Sequence, residues 1–132
     1  MLTTSIRTAV ATAIICTCCG SAIAASTALS GETLREAVAD KTVVLKISGF
    51  QLPIRYAADG TMQGRMSAVA AALSGGQGLS DHGKWWVDGG QLCQKWSSWM
   101  KGQTYCYALS RAGNNVRWVR SDGRAGTARI AG

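Results

Sequence analysis

Four turn signals divide the chain after Lys41 into short segments of strand-like composition. They are Asp59-Gly60, Asp88-Gly89-Gly90, Gly113-Asn114-Asn115 and Asp122-Gly123. Asp-Gly between two such segments is typical of a β-hairpin, because glycine tolerates the positive φ that tight primed turns demand. Short strands with closely spaced turns favour an antiparallel meander that closes into a barrel or a sandwich. We therefore predict a mainly β fold with about eight strands, in a small barrel or calycin-like form.

One short helix is predicted before the strands. Ser30 is a good N-cap, because its hydroxyl can accept a hydrogen bond from a free amide of the first turn. Leu34, Ala37 and Val38 recur at helical spacing and form one apolar face. The helix should end near Asp40 and is too short to be stable alone. We expect it to pack against the meander.

The stretch from 68 to 83 has no single interpretation. Residues 68–73 suit either the end of a strand or a short helical turn. Residues 74–83 are rich in glycine and serine, which predicts a flexible loop. Long loops on rigid scaffolds often carry function, although a slack connection is the simpler interpretation.

The first 24 residues have the composition of a secretory signal. Arg7 is the only charged residue before Glu32, an apolar run follows it, and Ala22-Ile23-Ala24 fits the small-x-small cleavage rule. Cleavage after Ala24 would leave 108 of the 132 residues, and we expect residues 25–132 to form a single domain that is periplasmic or secreted. A helix retained in a cytosolic protein is one alternative. A lipoprotein is another, since three cysteines lie near the required place: Cys16, Cys18 and Cys19.

Two cysteines remain beyond the predicted signal, Cys93 and Cys106. An even number in an exported chain favours a disulfide. If the strand that holds Cys93 runs back along the strand that holds Cys106, the two side chains face each other. The same alternation places the adjacent tryptophans Trp85 and Trp86 on opposite faces of the sheet, so they cannot form one flat aromatic platform.

Catalytic groups are scarce. His82 is the only histidine, next to Asp81, and a Ser-His-Asp triad with Ser80 or Ser110 lacks the nucleophile-elbow context. One histidine and two cysteines without CxxC spacing do not make a zinc site. We therefore expect a protein that is not an enzyme and uses no cofactor or metal.

Basic residues concentrate in the last two predicted hairpins, namely Arg111, Arg117, Arg120, Arg124 and Arg129. A basic strip attracts anions at long range, although arginines also fill the solvent face of ordinary strands. The candidate residues for binding an anion or a partner are Arg111, Arg117, Arg120 and Arg124. The candidate aromatic contacts are Trp85, Trp86, Trp99 and Trp118. Trp99 is expected to be exposed, because it lies at a predicted loop tip. An exported chain meets anionic lipids and polysaccharides, so we expect no nucleic-acid partner.

Several short motifs occur in an order that resembles a group of small exported proteobacterial proteins of unknown function. The shared pattern is LSGxxL…DGT…GxW…LCxxW…CY…DG, and the glycine usual before Lys-Thr-Val is Asp40 here. The residues that carry the resemblance are 29–34, 40–43, 56–61, 83–87, 92–96, 106–107 and 122–123. The resemblance implies export, a disulfide and a β-rich domain, and it supplies no catalytic residue and no ligand.

Three functions remain open at this point. The first is an exported binding protein of the envelope or the secreted fraction that engages a protein or an anionic surface through the C-terminal arginines. One version of this hypothesis is a protein that acts in association with a host. The second is an inhibitor of a secreted protease or lysozyme. The third is a carrier of a small apolar ligand inside the barrel. We expect a monomer with no transmembrane segment once the signal is cleaved.

Overall fold

The computed structural model describes residues 25–75 and 78–132, in which eight antiparallel strands form a closed barrel. These eight strands pair in chain order, and the last, Ala125–Ala131, closes the barrel by pairing with the first, Lys41–Ile47. A short additional strand, Thr27–Ala28, pairs with the end of the strand Thr104–Ala112. This architecture confirms the predicted fold class. The predicted signal, residues 1–24, lies outside the described residues.

The elements follow the turn signals closely. The strands are β1 (Thr27–Ala28), β2 (Lys41–Ile47), β3 (Phe50–Tyr56), β4 (Thr61–Arg65), β5 (Ser80–Asp88), β6 (Gln91–Trp96), β7 (Thr104–Ala112), β8 (Asn115–Arg120) and β9 (Ala125–Ala131). The helices are α1 (Gly31–Val38), α2 (Ala68–Leu73) and a 3₁₀ turn at Trp99–Gly102.

The two ends of the barrel differ. Because an antiparallel meander turns alternately at its two ends, α1 lies at the same end as the turns at 57–60, 89–90 and 113–114. Leu34 and Val38 of α1 are fully buried, and the amide of Gly31 donates to the carbonyl of Gly89 over 2.8 Å. We call this the α1 end. The opposite end, which we call the α2 end, carries the connections at 48–49, 66–75, 78–79, 97–103 and 121–124.

Inward-facing side chains fill the barrel in the alternation that the sequence predicts. Trp85 is 3 % exposed and Trp86 is 37 % exposed, so the two adjacent indoles do face opposite sides of the sheet. Cys93 and Cys106 are paired residues on β6 and β7 and form the expected disulfide. The stretch 83–96 is therefore a hairpin with two indoles in the core, Trp85 and Trp96, and one on the wall, Trp86.

The segment between β4 and β5 differs in part from the prediction. Residues 68–73 form the helix α2, with the Ser67 hydroxyl accepting from the Ala70 amide over 3.1 Å. The predicted loop extends too far, because residues 80–83 belong to β5 and pair with β4. Gly83 can take part in this pairing because it leaves room for the Met62 methyl group and the Lys95 carbonyl. In the part of the chain that the structure describes, no helix is long and apolar enough to cross a membrane.

Candidate functional site

The four arginines predicted as one site lie in three places. Arg117 points outward from the middle of β8, since its neighbours Val116 and Trp118 pack into the core. Arg120 and Arg124 flank the β8–β9 turn at the α2 end. Arg111 lies near the α1 end, where its Nε donates to the Gly113 carbonyl over 2.7 Å. The four arginines therefore do not form a single strip on the barrel.

Arg120 is committed to contacts within its own end of the barrel. Its guanidinium lies 4.4 Å from the centre of the Tyr105 ring, and its Nε donates to the Asp122 carboxylate over 2.8 Å. The hydrogen bond to Asp122 raises the pKa of Arg120 above its ordinary value. The same bond holds the pKa of Asp122 down, at about 2. These contacts stabilise the β8–β9 turn and leave Arg120 less available to a partner.

Arg117 instead belongs to a basic groove on the barrel wall, made by the outer faces of β2, β8 and β9. The groove has a volume of about 520 Å³ and three cationic side chains in its lining, Lys46, Arg117 and Arg129. Arg117 is paired across the sheet with Thr127 of β9, and Arg129 with Val44 of β2. Closure of the barrel between its first and last strands therefore brings the three cations together.

The charge of the groove is uncompensated. No acidic residue lines it. Across residues 25–75 and 78–132 the only ion pairs are Asp81–His82 and Arg120–Asp122, so Lys46, Arg117 and Arg129 have no carboxylate partner there. Five polar side chains complete the lining: Ser26, Gln51, Ser110, Asn115 and Thr127. Arginine donates two parallel hydrogen bonds to a carboxylate, sulfate or phosphate, and hydroxyl and amide groups beside it add further donors.

The groups considered for catalysis are engaged elsewhere or exposed. The Asp81 carboxylate accepts from the amides of Ser98 and Trp99, each over 2.8 Å. Burial raises the pKa of Asp81, but these hydrogen bonds outweigh it, and the pKa lies below its ordinary value. The His82 side chain is 78 % exposed and its Nδ1 is 4.0 Å from Asp81. Asp81 thus anchors the 3₁₀ turn rather than orienting a histidine.

The aromatic candidates are mostly core residues. The expectation that Trp99 is exposed is wrong, because the 3₁₀ turn folds its indole inward. Trp99 is 3 % exposed, and its ring centre lies 4.8 Å from that of Trp96. Its Nε1 donates to the Gly78 carbonyl over 3.0 Å. Trp85 is also buried and donates to the Ala57 carbonyl over 2.8 Å. A loop tip can bury an indole when the barrel mouth beneath it is open, and here Trp99 fills part of that mouth.

Trp118 lies inside the barrel next to a small cavity of about 30 Å³. Its ring packs over Gly126 and edge-on to Tyr107, with ring centres 5.6 Å apart. Among the described residues its Nε1 is the one buried side-chain donor without a partner. The rest of the cavity is apolar apart from Gln94, which accepts from the Tyr56 hydroxyl over 2.8 Å, and Tyr107. A cavity of this size holds one or two water molecules.

Two members of the groove, Lys46 and Arg129, were not among the candidate residues. Strand alternation does predict that Lys46 points outward beside the inward Leu45. What sequence reasoning missed is that β2 lies next to β9, more than 80 residues later, which is a property of the closed barrel. In the described residues no group of three or more histidine, cysteine or acidic side chains is placed to hold a metal ion.

Comparison of the chain with protein-family models, with curated proteins and with solved structures finds no match.

Proposed function

We propose that this protein is an exported, non-enzymatic binding protein that holds an anionic partner in the groove of Lys46, Arg117 and Arg129. The observation that carries the proposal is the convergence of three cations on one concave wall without an acidic residue in the lining. Cations are normally kept apart by their mutual repulsion. A groove that gathers them is ready to be neutralised by an anion.

The net charge of residues 25–132 supports the same partner class. Residues 25–132 contain thirteen basic and seven acidic residues, a net charge of +6 with His82 neutral. Such a field raises the rate of encounter with anions, and the effect falls as ionic strength rises. The disulfide between Cys93 and Cys106 supports an oxidising compartment. The partner that we propose is therefore a carboxylated or phosphorylated polymer of the cell envelope.

The interior is a weaker candidate for the binding site. Ligand pockets commonly enclose several hundred Å³, whereas the cavity beside Trp118 is about 30 Å³. A carrier would have to open the barrel to admit an apolar ligand. The groove needs no such change, because it is already open to solvent on the wall.

The experiment is a titration of the protein with polygalacturonate and with polyphosphate at low salt. We expect Arg117→Ala/Arg129→Ala to weaken binding at least about tenfold, because hydrogen bonds to charged groups each contribute about 1.5–3 kcal/mol. Lys84→Ala/Lys95→Ala is the matched control, since these paired residues lie on the wall of β5 and β6 and remove the same charge. Equal weakening of binding in both variants would show a general charge effect and would overturn the proposal that the groove is the binding site.

A further inference from the structure

Exposed apolar side chains gather at the α2 end. Among the described residues six large apolar side chains are exposed, and two of them, Trp86 and Val119, lie on the wall. The other four belong to the α2 end: Ile47 (44 % exposed), Val69 (59 %), Leu73 (70 %) and Leu79 (48 %). Contiguous exposed apolar surface on a small protein marks a contact with another molecule or with a membrane.

The helix α2 has no partner for most of its apolar surface. It consists only of alanine, valine and leucine, and Ala71 is its one buried residue. The amide of Met66 donates to the carbonyl of Leu79 over 2.7 Å, which draws the two ends of the segment together. The exposed side chains of Val69, Leu73 and Leu79, which we call the apolar tip, therefore belong to one connection at the α2 end. A six-residue helix has little stability of its own, so further burial of Val69 and Leu73 would stabilise it.

The charges of the barrel are sorted along its axis. The α1 end holds five of the seven acidic residues together with four cations, Arg35, Lys41, Arg55 and Arg111; the five acids are Glu32, Glu36, Asp40, Asp59 and Asp88. The α2 end holds five cations against two acids; the cations are Lys46, Arg65, Lys101, Arg120 and Arg124. Both acids are engaged, Asp122 by Arg120 and Asp81 by the amides of the 3₁₀ turn. The apolar tip thus lies at the end of the barrel that carries a net positive charge.

We infer that the α2 end docks on an anionic phospholipid bilayer, with Val69, Leu73 and Leu79 in the boundary between headgroups and acyl chains. Apolar side chains flanked by lysine and arginine are the combination that binds such an interface, and each basic residue near an anionic surface adds attraction.

This contact lies beyond the proposed function, since its apolar side chains are not part of the groove and Lys46 is the one cation counted in both. The two surfaces are separable by mutation, because the groove variants leave α2 intact. A protein anchored at its α2 end would carry the groove on its side, facing the polymers near the membrane.

Sedimentation with vesicles tests the inference. Every variant is expressed with the full sequence in the same cells, so that residues 1–24 are processed in the same way in all of them. We expect the protein to sediment with vesicles of equimolar phosphatidylglycerol and phosphatidylcholine and to remain in solution with phosphatidylcholine alone. Val69→Ser/Leu73→Ser should lower the partition coefficient about tenfold, because it removes most of the apolar area that would be buried.

The control variants separate this surface from the others. Trp86→Ser, an equally apolar change on the wall, should bind as the parent does. Arg117→Ala/Arg129→Ala should weaken binding to the anionic vesicles no more than Lys84→Ala/Lys95→Ala does. A wrong proposal for the groove and a wrong proposal for the α2 end therefore give different results. Val69→Ser/Leu73→Ser should in turn bind polygalacturonate as the parent does.

Hydrogen exchange gives a second readout that needs no variant. On anionic vesicles the amides of residues 66–74 should become protected, while those of α1 exchange at the rate of the free protein. Protection at α1 instead, or parent-like partitioning of Val69→Ser/Leu73→Ser, would overturn the inference, as would an absence of binding to the anionic vesicles.

Discussion

At the level of single residues, small side chains decide how the indole rings fill the barrel. A Cβ at Gly64 would lie 2.6 Å from Cζ3 of Trp99 and 2.8 Å from Cη2 of Trp96. A Cβ at Gly126 would lie 2.4 Å from the ring of Trp118. These contacts are far inside van der Waals distance, so the rings occupy the volume that side chains at Gly64 and Gly126 would take.

The first prediction concerns Gly64. Gly64→Ala should destabilise the protein by about 1–3 kcal/mol, because a methyl group overpacks a site already filled by two indoles. Gly90→Ala is the control, since nothing lies within 4 Å of a Cβ there and no positive φ is required. Urea denaturation of both variants measures the effect. Equal free energies of unfolding for the two variants would contradict the packing that places Trp99 inside the mouth.

At the level of elements, the connections at the α2 end are held by side chains rather than by the strands alone. Asp81 accepts two amide hydrogen bonds from the 3₁₀ turn between β6 and β7. Asp122 accepts from Arg120 and from the amide of Arg124 in the β8–β9 turn. Each carboxylate satisfies donors that the turn leaves without a carbonyl partner, so both connections depend on an ionised aspartate.

The second prediction is a pH dependence that originates at Asp122. Its pKa is about 2 in the folded protein, against an ordinary value of 3.8, chiefly because of the hydrogen bond from Arg120. A lowered folded pKa contributes stability that is present above about pH 4 and is lost as the pH falls towards 2. The side chain is 46 % exposed, so screening by solvent keeps this contribution to the free energy of unfolding small.

Urea denaturation between pH 2 and pH 7 measures this contribution. The gap in unfolding free energy between the parent and Asp122→Asn should be constant above pH 4 and should close as the pH falls to about 2. Asp88→Asn is the control, because in the described residues its carboxylate accepts no hydrogen bond. A gap that stays constant down to pH 2 would show that the Arg120–Asp122 contact does not stabilise the turn.

At the level of the whole molecule, the strand pairings that build the barrel differ greatly in the sequence separation of the residues they join. The hairpins pair neighbours in the chain, whereas β2 and β9 pair residues more than 80 positions apart. One covalent link, between Cys93 and Cys106, reinforces the meander at β6 and β7. Because all eight barrel strands share one core, a constraint on one hairpin stabilises the entire fold.

The third prediction measures that constraint. Cys93→Ala/Cys106→Ala should lower the free energy of unfolding by about 3 kcal/mol, because the unfolded chain regains the freedom that a loop of this length removes. This is a large share of the total of about 5–15 kcal/mol expected for a domain of this size. Guanidinium denaturation, with the oxidised parent as reference, gives the difference. A loss below about 1 kcal/mol would mean that the disulfide adds little to a barrel that is stabilised by the packing of its side chains.

Local chemistry determined the elements of this protein. Asp-Gly and Gly-Asn turns, two-residue alternation and the apolar face of α1 depend on neighbours in the chain, and they predicted the hairpins, the opposite faces of Trp85 and Trp86, and the disulfide partners. The same alternation could also have assigned Lys46 and Arg117 to the outer face of their strands, beside the inward Leu45 and Trp118.

Only the tertiary structure decided which outward residues meet and which loop residues are buried. Pairing of β2 with β9 brings Lys46 to Arg117 and Arg129, and no local pattern specifies that closure. The open mouth of the barrel draws Trp99 inward, although its position in a connection indicates exposure. The α2 end acquires its apolar tip and positive charge because alternate turns of a meander gather at one end. Strand direction is local, but adjacency across the barrel is set by how the whole chain packs its core.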